Sequence, residues 1–135
     1  MASDAFCSGD IVAEQAYYRV HFRPALAAEF VEPVVQRLRG HWDRAGVRLA
    51  RAIEDRLYSE TASAPDYDLL PRLATLDIPT LVLHGNEDFI PVAVAAHIAE
   101  AIPAAVLAVL PGCRHFAYLE APEQVRRHVT ALLGS

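Results

Sequence analysis

An α/β fold, helical in its first half and built around parallel strands in its second, is predicted by three observations. From about residue 66 the chain alternates strand, helix, strand, helix, the order of a parallel sheet with covering helices. Both strand candidates, Thr80–His84 and Val106–Leu110, are almost unbroken apolar runs, as strands covered on both faces should be. Before Pro65 the apolar residues recur instead at helical spacing. The chain therefore divides into a helical segment, 1–65, and a β-α-β-α segment, 66–135.

The first helix opens at Asp10, a suitable N-cap, and carries Ile11, Gln15, Tyr18 and Phe22 on one face. Pro24 stops it. A second helix repeats the period through Leu26, Phe30, Val34 and Leu38, with Gly40 placed to end it. Pro33 predicts a break or kink in its middle, because proline removes a backbone donor and crowds the preceding turn. A third helix follows in "DRAGVRLARAIEDRLYSE", with Val47, Leu49, Ile53 and Leu57 as its expected buried face. Ser59 to Pro65 is a linker of small residues. In the second segment a short apolar turn precedes the first strand. Pro91 and Pro122 stand where helices begin, and Pro111-Gly112 ends the second strand. The last helix has Val125, Val129, Leu132 and Leu133 as its stripe.

Composition narrows the function classes. At 135 residues and 53% hydrophobic, the chain suits one globular domain. A net charge of −5 argues against nucleic acid as a partner, since that affinity rests on cations neutralising phosphates. The basic residues form no block, which argues against an anionic membrane surface. No apolar run is long enough for a membrane span, and "MASDAFCSGD" lacks the basic and apolar regions of a secretory signal. A cytoplasmic location is expected, with Cys7 and Cys113 as reduced thiols. No set of His, Cys, Asp and Glu has zinc spacing, so neither metal nor cofactor is expected.

The chemistry lies beyond the two strands. "TLVLHGNEDFIPV" ends a strand and delivers Asp88 in the loop that follows; "LPGCRHF" does the same for His115. Functional side chains of α/β sheets sit at this carboxyl edge. If the strands are parallel neighbours, both loops leave the sheet together, and the carboxylate can fix the tautomer of the imidazole and stabilise the imidazolium. Singly, an aspartate before a helix is an ordinary cap and a histidine in a turn is ordinary surface. The pair is the signal.

These two stretches, "IPTLVLHGNEDFIPV" and "LAVLPGCRHFAYLEAPEQV", closely resemble the C-terminal end of α/β-hydrolase-fold enzymes, over somewhat less than half of the chain. The resemblance implies a partial α/β-hydrolase fold, with Asp88 as the triad acid and His115 as the triad base. It also implies that residues 1–65 are a cap-like segment. "AEQAYYRVHFRP" is similar to the cap of the proline iminopeptidase-like branch, which makes Glu14 and Glu29 positional candidates for holding a substrate amino group. Arg114 departs from the pattern, standing where the family commonly has glycine.

One expected part is missing from the sequence. The family's nucleophile sits in G-x-S-x-G, and none of Ser3, Ser8, Ser59, Ser63 and Ser135 lies between glycines at that spacing. Cys7 follows no strand, and no glycine-rich oxyanion loop is visible. His84 reads as a hydrogen-bonded residue at the strand end, and His97 and His128 as helix surface or packing. Tyr17, Tyr18, Phe22 and Phe30 read as core or, alternatively, as the lining of an acyl pocket.

Two readings remain open. In the first, the chain is the acid-and-base part of an ester or amide hydrolase, with a prolyl-type aminopeptidase as the favoured subclass, inactive alone and completed by an N-terminal hydrolase segment outside it. A small molecule or peptide is then its substrate. In the second, it is an inactive oligomerising or partner-binding module derived from such an enzyme. Both lead to an expected homo-oligomer, because two strands with apolar faces and unpaired edges call for cover.

Overall fold

The structure, a computed structural model, describes residues 4–38 and 42–134. The elements in chain order are α1 (Asp4–Cys7), α2 (Ile11–Phe22), α3 (Ala28–Arg37), α4 (Arg44–Glu60), α5 (Leu70–Leu73), β1 (Thr80–Gly85), α6 (Val92–Ala101), β2 (Ala105–Leu110), α7 (Ala117–Glu120) and α8 (Pro122–Leu133). They fall into two compact units. One comprises residues 4–22 and 31–67 and the other residues 23–30 and 68–134, so the segment around Leu26 belongs with the strands.

In the helical unit, caps set the starts. The Asp10 carboxylate accepts from the amides of Val12 and Ala13 at 3.0 and 3.1 Å, and Asp43 accepts from Gly46 at 2.7 Å. Proline at position 33 does not break α3, which runs unbroken from Ala28 to Arg37. The carbonyl deprived of its donor is that of Glu29, which lies in an exposed first turn where solvent can satisfy it. The expected C-cap, Gly40, lies outside the described residues.

The face of α4 is a correction. Val47 is fully buried, but Leu49, Ile53 and Leu57 are exposed at 63%, 51% and 55%. The covered side of α4 carries Val47 and Arg51 instead. The Arg51 guanidinium pairs with the fully buried Glu14 of α2, donates to the Phe6 carbonyl, and lies over the Phe6 ring. Burial pushes the Arg51 pKa down. A charged pair thus occupies the place that periodicity assigns to leucines.

In the second unit β1 and β2 pair in parallel, in register from Thr80↔Ala105 to Gly85↔Leu110. Leu110, Ala108, Ala95 and Ile102 form the core of the pair with α6, and Leu26 and Cys113 are buried in the same unit. Cover is incomplete: Val106 and Val109 of β2 are exposed at 56% and 39%, and in α8 Val129 and Leu133 of the expected stripe are also exposed. Both cysteines are free thiols, Cys7 exposed and Cys113 buried. Among the described residues no helix is long and apolar enough to cross a membrane.

Candidate active site

The two strand-end loops are stitched together by their backbones. The amide of Asn86 donates to the Leu110 carbonyl and that of Glu87 to the Cys113 carbonyl, at 3.0 and 2.9 Å. The side-chain oxygen of Asn86 accepts from the amide of Gly112, whose φ of 70° favours glycine. Gly85 is required for a different reason: a Cβ there would run into the backbone carbonyls of Cys113 and Arg114. The His-Gly-Asn-Glu-Asp run is thus the sequence that lets one loop lie against the other.

That contact places Asp88 beside His115. Oδ2 of Asp88 lies 2.9 Å from Nδ1 of His115, and Oδ1 accepts from the amide of Ile90 at 3.0 Å. A carboxylate only accepts, so Nδ1 carries the proton and the second ring nitrogen, Nε2, is left for proton transfer. The carboxylate is 4% exposed and the imidazole 40%, so the carboxylate is kept out of water while the ring stays accessible. The ring is flanked by Phe89 and Phe116, with centroids at 5.1 and 5.3 Å. Both Asp88 and His115 line a cavity of about 220 Å³ whose apolar wall includes Val82, Ile90, Val94 and Ile98.

His115 is held from behind by its own backbone and by its neighbours Arg114 and Glu120. Its amide donates to the Ala25 carbonyl at 3.1 Å. The carboxylate of Glu120 accepts from the amides of Arg114 and Ala27, each at 2.5 Å. The Arg114 guanidinium donates to the carbonyls of Leu26 at 2.7 Å and Arg23 at 3.3 Å. The arginine in a glycine position is therefore a clamp on the 23–26 segment. An acid five residues after the histidine was the available signal for Glu120; the long-range carbonyls left none for Arg114.

Of the other candidates, only His84 lines this cavity. His84 donates Nε2–H to the Ile90 carbonyl at 2.9 Å, a hydrogen-bonded strand-end residue. His97 and His128 are exposed on α6 and α8. Glu14 is buried against Arg51, and Glu29 is exposed. Ser8, Ser59 and Ser63 donate their hydroxyls to nearby carbonyls of Ala5, Arg56 and Tyr58, and among the described residues no serine lines the cavity beside His115. Ser3 and Ser135 lie outside the described residues. Tyr17 and Tyr18, with Phe6 and Arg51, line a cavity of about 560 Å³ within the helical unit, and Phe22 packs on Tyr18. Among the described residues no cluster of His, Cys, Asp and Glu could hold a metal ion.

Comparison with known proteins agrees with the architecture. The chain is 32% identical over 78 residues to a proline iminopeptidase of Levilactobacillus brevis, covering 58% of this chain and 26% of that protein. It is 33% identical over 63 residues to a proline iminopeptidase of Lactiplantibacillus plantarum, covering 47% of this chain and 22% of the relative. The chain thus spans about a quarter of the length of these curated relatives. Among solved structures, an esterase from Rhodococcus sp. ECU1013 superposes with a TM-score of 0.65 at 24% identity, over 99% of this chain and 46% of the esterase. A serine hydrolase involved in carbazole degradation gives 0.64 at 22% identity, over 85% of this chain and 45% of its own. The "Alpha/beta hydrolase family" model matches residues 5–128, nearly the whole chain. With parallel strands that end in an acid and a histidine, and with that match, this chain belongs to the alpha/beta hydrolase family.

Proposed function

We propose that this chain supplies the acid and base of a hydrolase acting on esters or amides, with a prolyl aminopeptidase-like substrate as the favoured class. The observation that carries the proposal is the 2.9 Å contact between a buried Asp88 oxygen and Nδ1 of a half-exposed His115. The relatives named proline iminopeptidase favour the peptide class. The nucleophile is a serine on a G-x-S-x-G turn contributed by a complementary hydrolase segment. In the completed site, Nε2 of His115 takes the serine proton as the oxygen attacks the carbonyl carbon. The imidazolium, held by Asp88, then protonates the departing amine or alcohol as its bond to that carbon breaks. A water activated by the same nitrogen cleaves the acyl-serine and returns the proton to the serine oxygen.

The test mixes this chain with a separately produced N-terminal segment of a related hydrolase that carries the G-x-S-x-G serine. The chain alone should hydrolyse a p-nitrophenyl ester no faster than its His115→Ala variant. The mixture should gain turnover and fluorophosphonate labelling of the added serine, both lost in His115→Ala. Labelling of a serine in this chain alone, dependent on His115, would overturn the division of labour.

A second reading, an assembling module, is favoured by one observation: the apolar exposure of Val106 and Val109 on β2 and of Leu49, Ile53 and Leu57 on α4. Under it the chain forms a homodimer through these surfaces. Sedimentation at micromolar concentration should give twice the chain mass, and a monomer throughout would remove this reading.

A further inference from the structure

We infer that His84 is a positioning residue for the acid, acting on Asp88 through Ile90; this rests on the reading of Asp88 and His115 as an acid–base pair. Ile90 is tied at both ends of its backbone. Its amide donates to Oδ1 of Asp88 at 3.0 Å, and its carbonyl accepts from Nε2 of His84 at 2.9 Å. His84 stands on β1, so its ring is anchored by the strand, with 10% of the side chain exposed. The chain of contacts runs from β1 to His84, to Ile90, to Oδ1 of Asp88, and leaves Oδ2 for His115.

The tautomer follows from the partners. A carbonyl only accepts, so His84 carries its proton on Nε2, and Nδ1 of the neutral ring bears a lone pair. That nitrogen lies 3.9 Å from Oδ2 of Asp88, beyond hydrogen-bonding distance. Neutral His84 therefore does not compete with His115 for the oxygen. It fixes one carboxylate oxygen indirectly and leaves the other for its partner, as a supporting residue around a reactive pair should.

The test is nitrogen-15 NMR of the histidine side chains in the full chain. In the unaltered protein His84 should be the Nε2–H tautomer and His115 the Nδ1–H tautomer, with slow solvent exchange at Nδ1. His84→Leu should shift His115 toward the Nε2–H form that dominates in free imidazole and speed Nδ1–H exchange about tenfold, the equivalent of one lost hydrogen bond. His84→Gln, whose amide can still donate to Ile90, should restore both. An unchanged His115 spectrum in a folded His84→Leu variant overturns the inference. If that variant fails to fold, the unaltered chain decides, because an Nδ1–H tautomer at His84 breaks the relay outright. Asp88→Asn separates the two levels: no change at His115 in that variant refutes the acid–base pair itself. A change there but none in a folded His84→Leu refutes only the role of His84.

Discussion

The loop between β1 and α6 and the outer face of α4 answer the same need, satisfying side chains, in opposite ways. In and behind the loop the polar side chains meet partners inside their own unit: Asp88 with His115 and Ile90, Asn86 with Gly112, and Glu120 of α7 with two amides. On α4 the large apolar residues Leu49, Ile53 and Leu57 face outward, while the inner face is tied by the buried Arg51–Glu14 pair. Unmet hydrogen bonds in a buried site cost more than uncovered methyl groups at a surface. The loop that holds the Asp88–His115 pair is therefore rich in polar contacts, whereas the apolar residues of α4 stay exposed.

The sharpest way to break this contrast is Gly85→Ala. The added methyl meets two backbone carbonyls, which cannot rotate away as a side chain would. The expected loss is about 3 kcal/mol, the upper end for inserting a methyl into a packed site. Urea unfolding followed by circular dichroism measures it, and an unchanged midpoint would mean that the two loops do not lie as closely as described.

Glu120→Ala comes next. It strips the acceptor from the amides of Arg114 and Ala27, at an expected cost of about 2 kcal/mol. Glu120→Gln, which keeps one accepting oxygen, should recover part of it. Equal losses in the two variants would point to the negative charge rather than to the hydrogen bonds.

The α4 stripe should behave in the contrary way. Leu49→Gln, Ile53→Gln and Leu57→Gln should each change the stability of the isolated chain by no more than about 0.5 kcal/mol, as exposed positions do. A loss several times larger in any of them, in the same urea titration, would show that the stripe is covered in solution and would erase the contrast.

The sequence made Asp88 and His115 legible because the topology that joins them is local: two strands, one crossover helix, and a loop at the same end of each. The cap at Asp10 and the helix starts at Pro91 and Pro122 were legible for the same reason, since each depends on neighbours a few residues away. The covered face of α4 was not. Periodicity locates an apolar stripe but not the side on which other helices pack, and no propensity rule ranks Glu14 and Arg51 as core. Short helices such as α1 and α7 span one turn, too little for a period to register. Glu120 and Arg114 act on residues 23–27, some ninety positions away; the acid five residues after His115 hinted at Glu120, but nothing local announces its distant partner or those of Arg114.

The smallest effect expected is electrostatic and belongs to the helical unit. Arg19 of α2 and Glu32 of α3 form a two-pronged pair at 2.8 and 2.9 Å, assisted by Gln36. The hydrogen bond from Arg19, with the one from Gln36 behind it, lowers the Glu32 pKa from 4.5 to about 2. A carboxyl whose folded pKa is depressed adds stability above its unfolded value and loses it as pH falls through the folded one. Stability from this pair should therefore be intact above about pH 4.5 and decline toward pH 2. Both side chains are substantially exposed, at 37% and 49%, so solvent and salt screen most of the benefit. Acid titration of the unfolding midpoint in Glu32→Gln against the unaltered chain isolates it. The two curves should differ slightly at neutral pH, converge near pH 2, and lie closer throughout in molar salt. A gap that persists at the acid end would assign the role of Glu32 to packing rather than to charge.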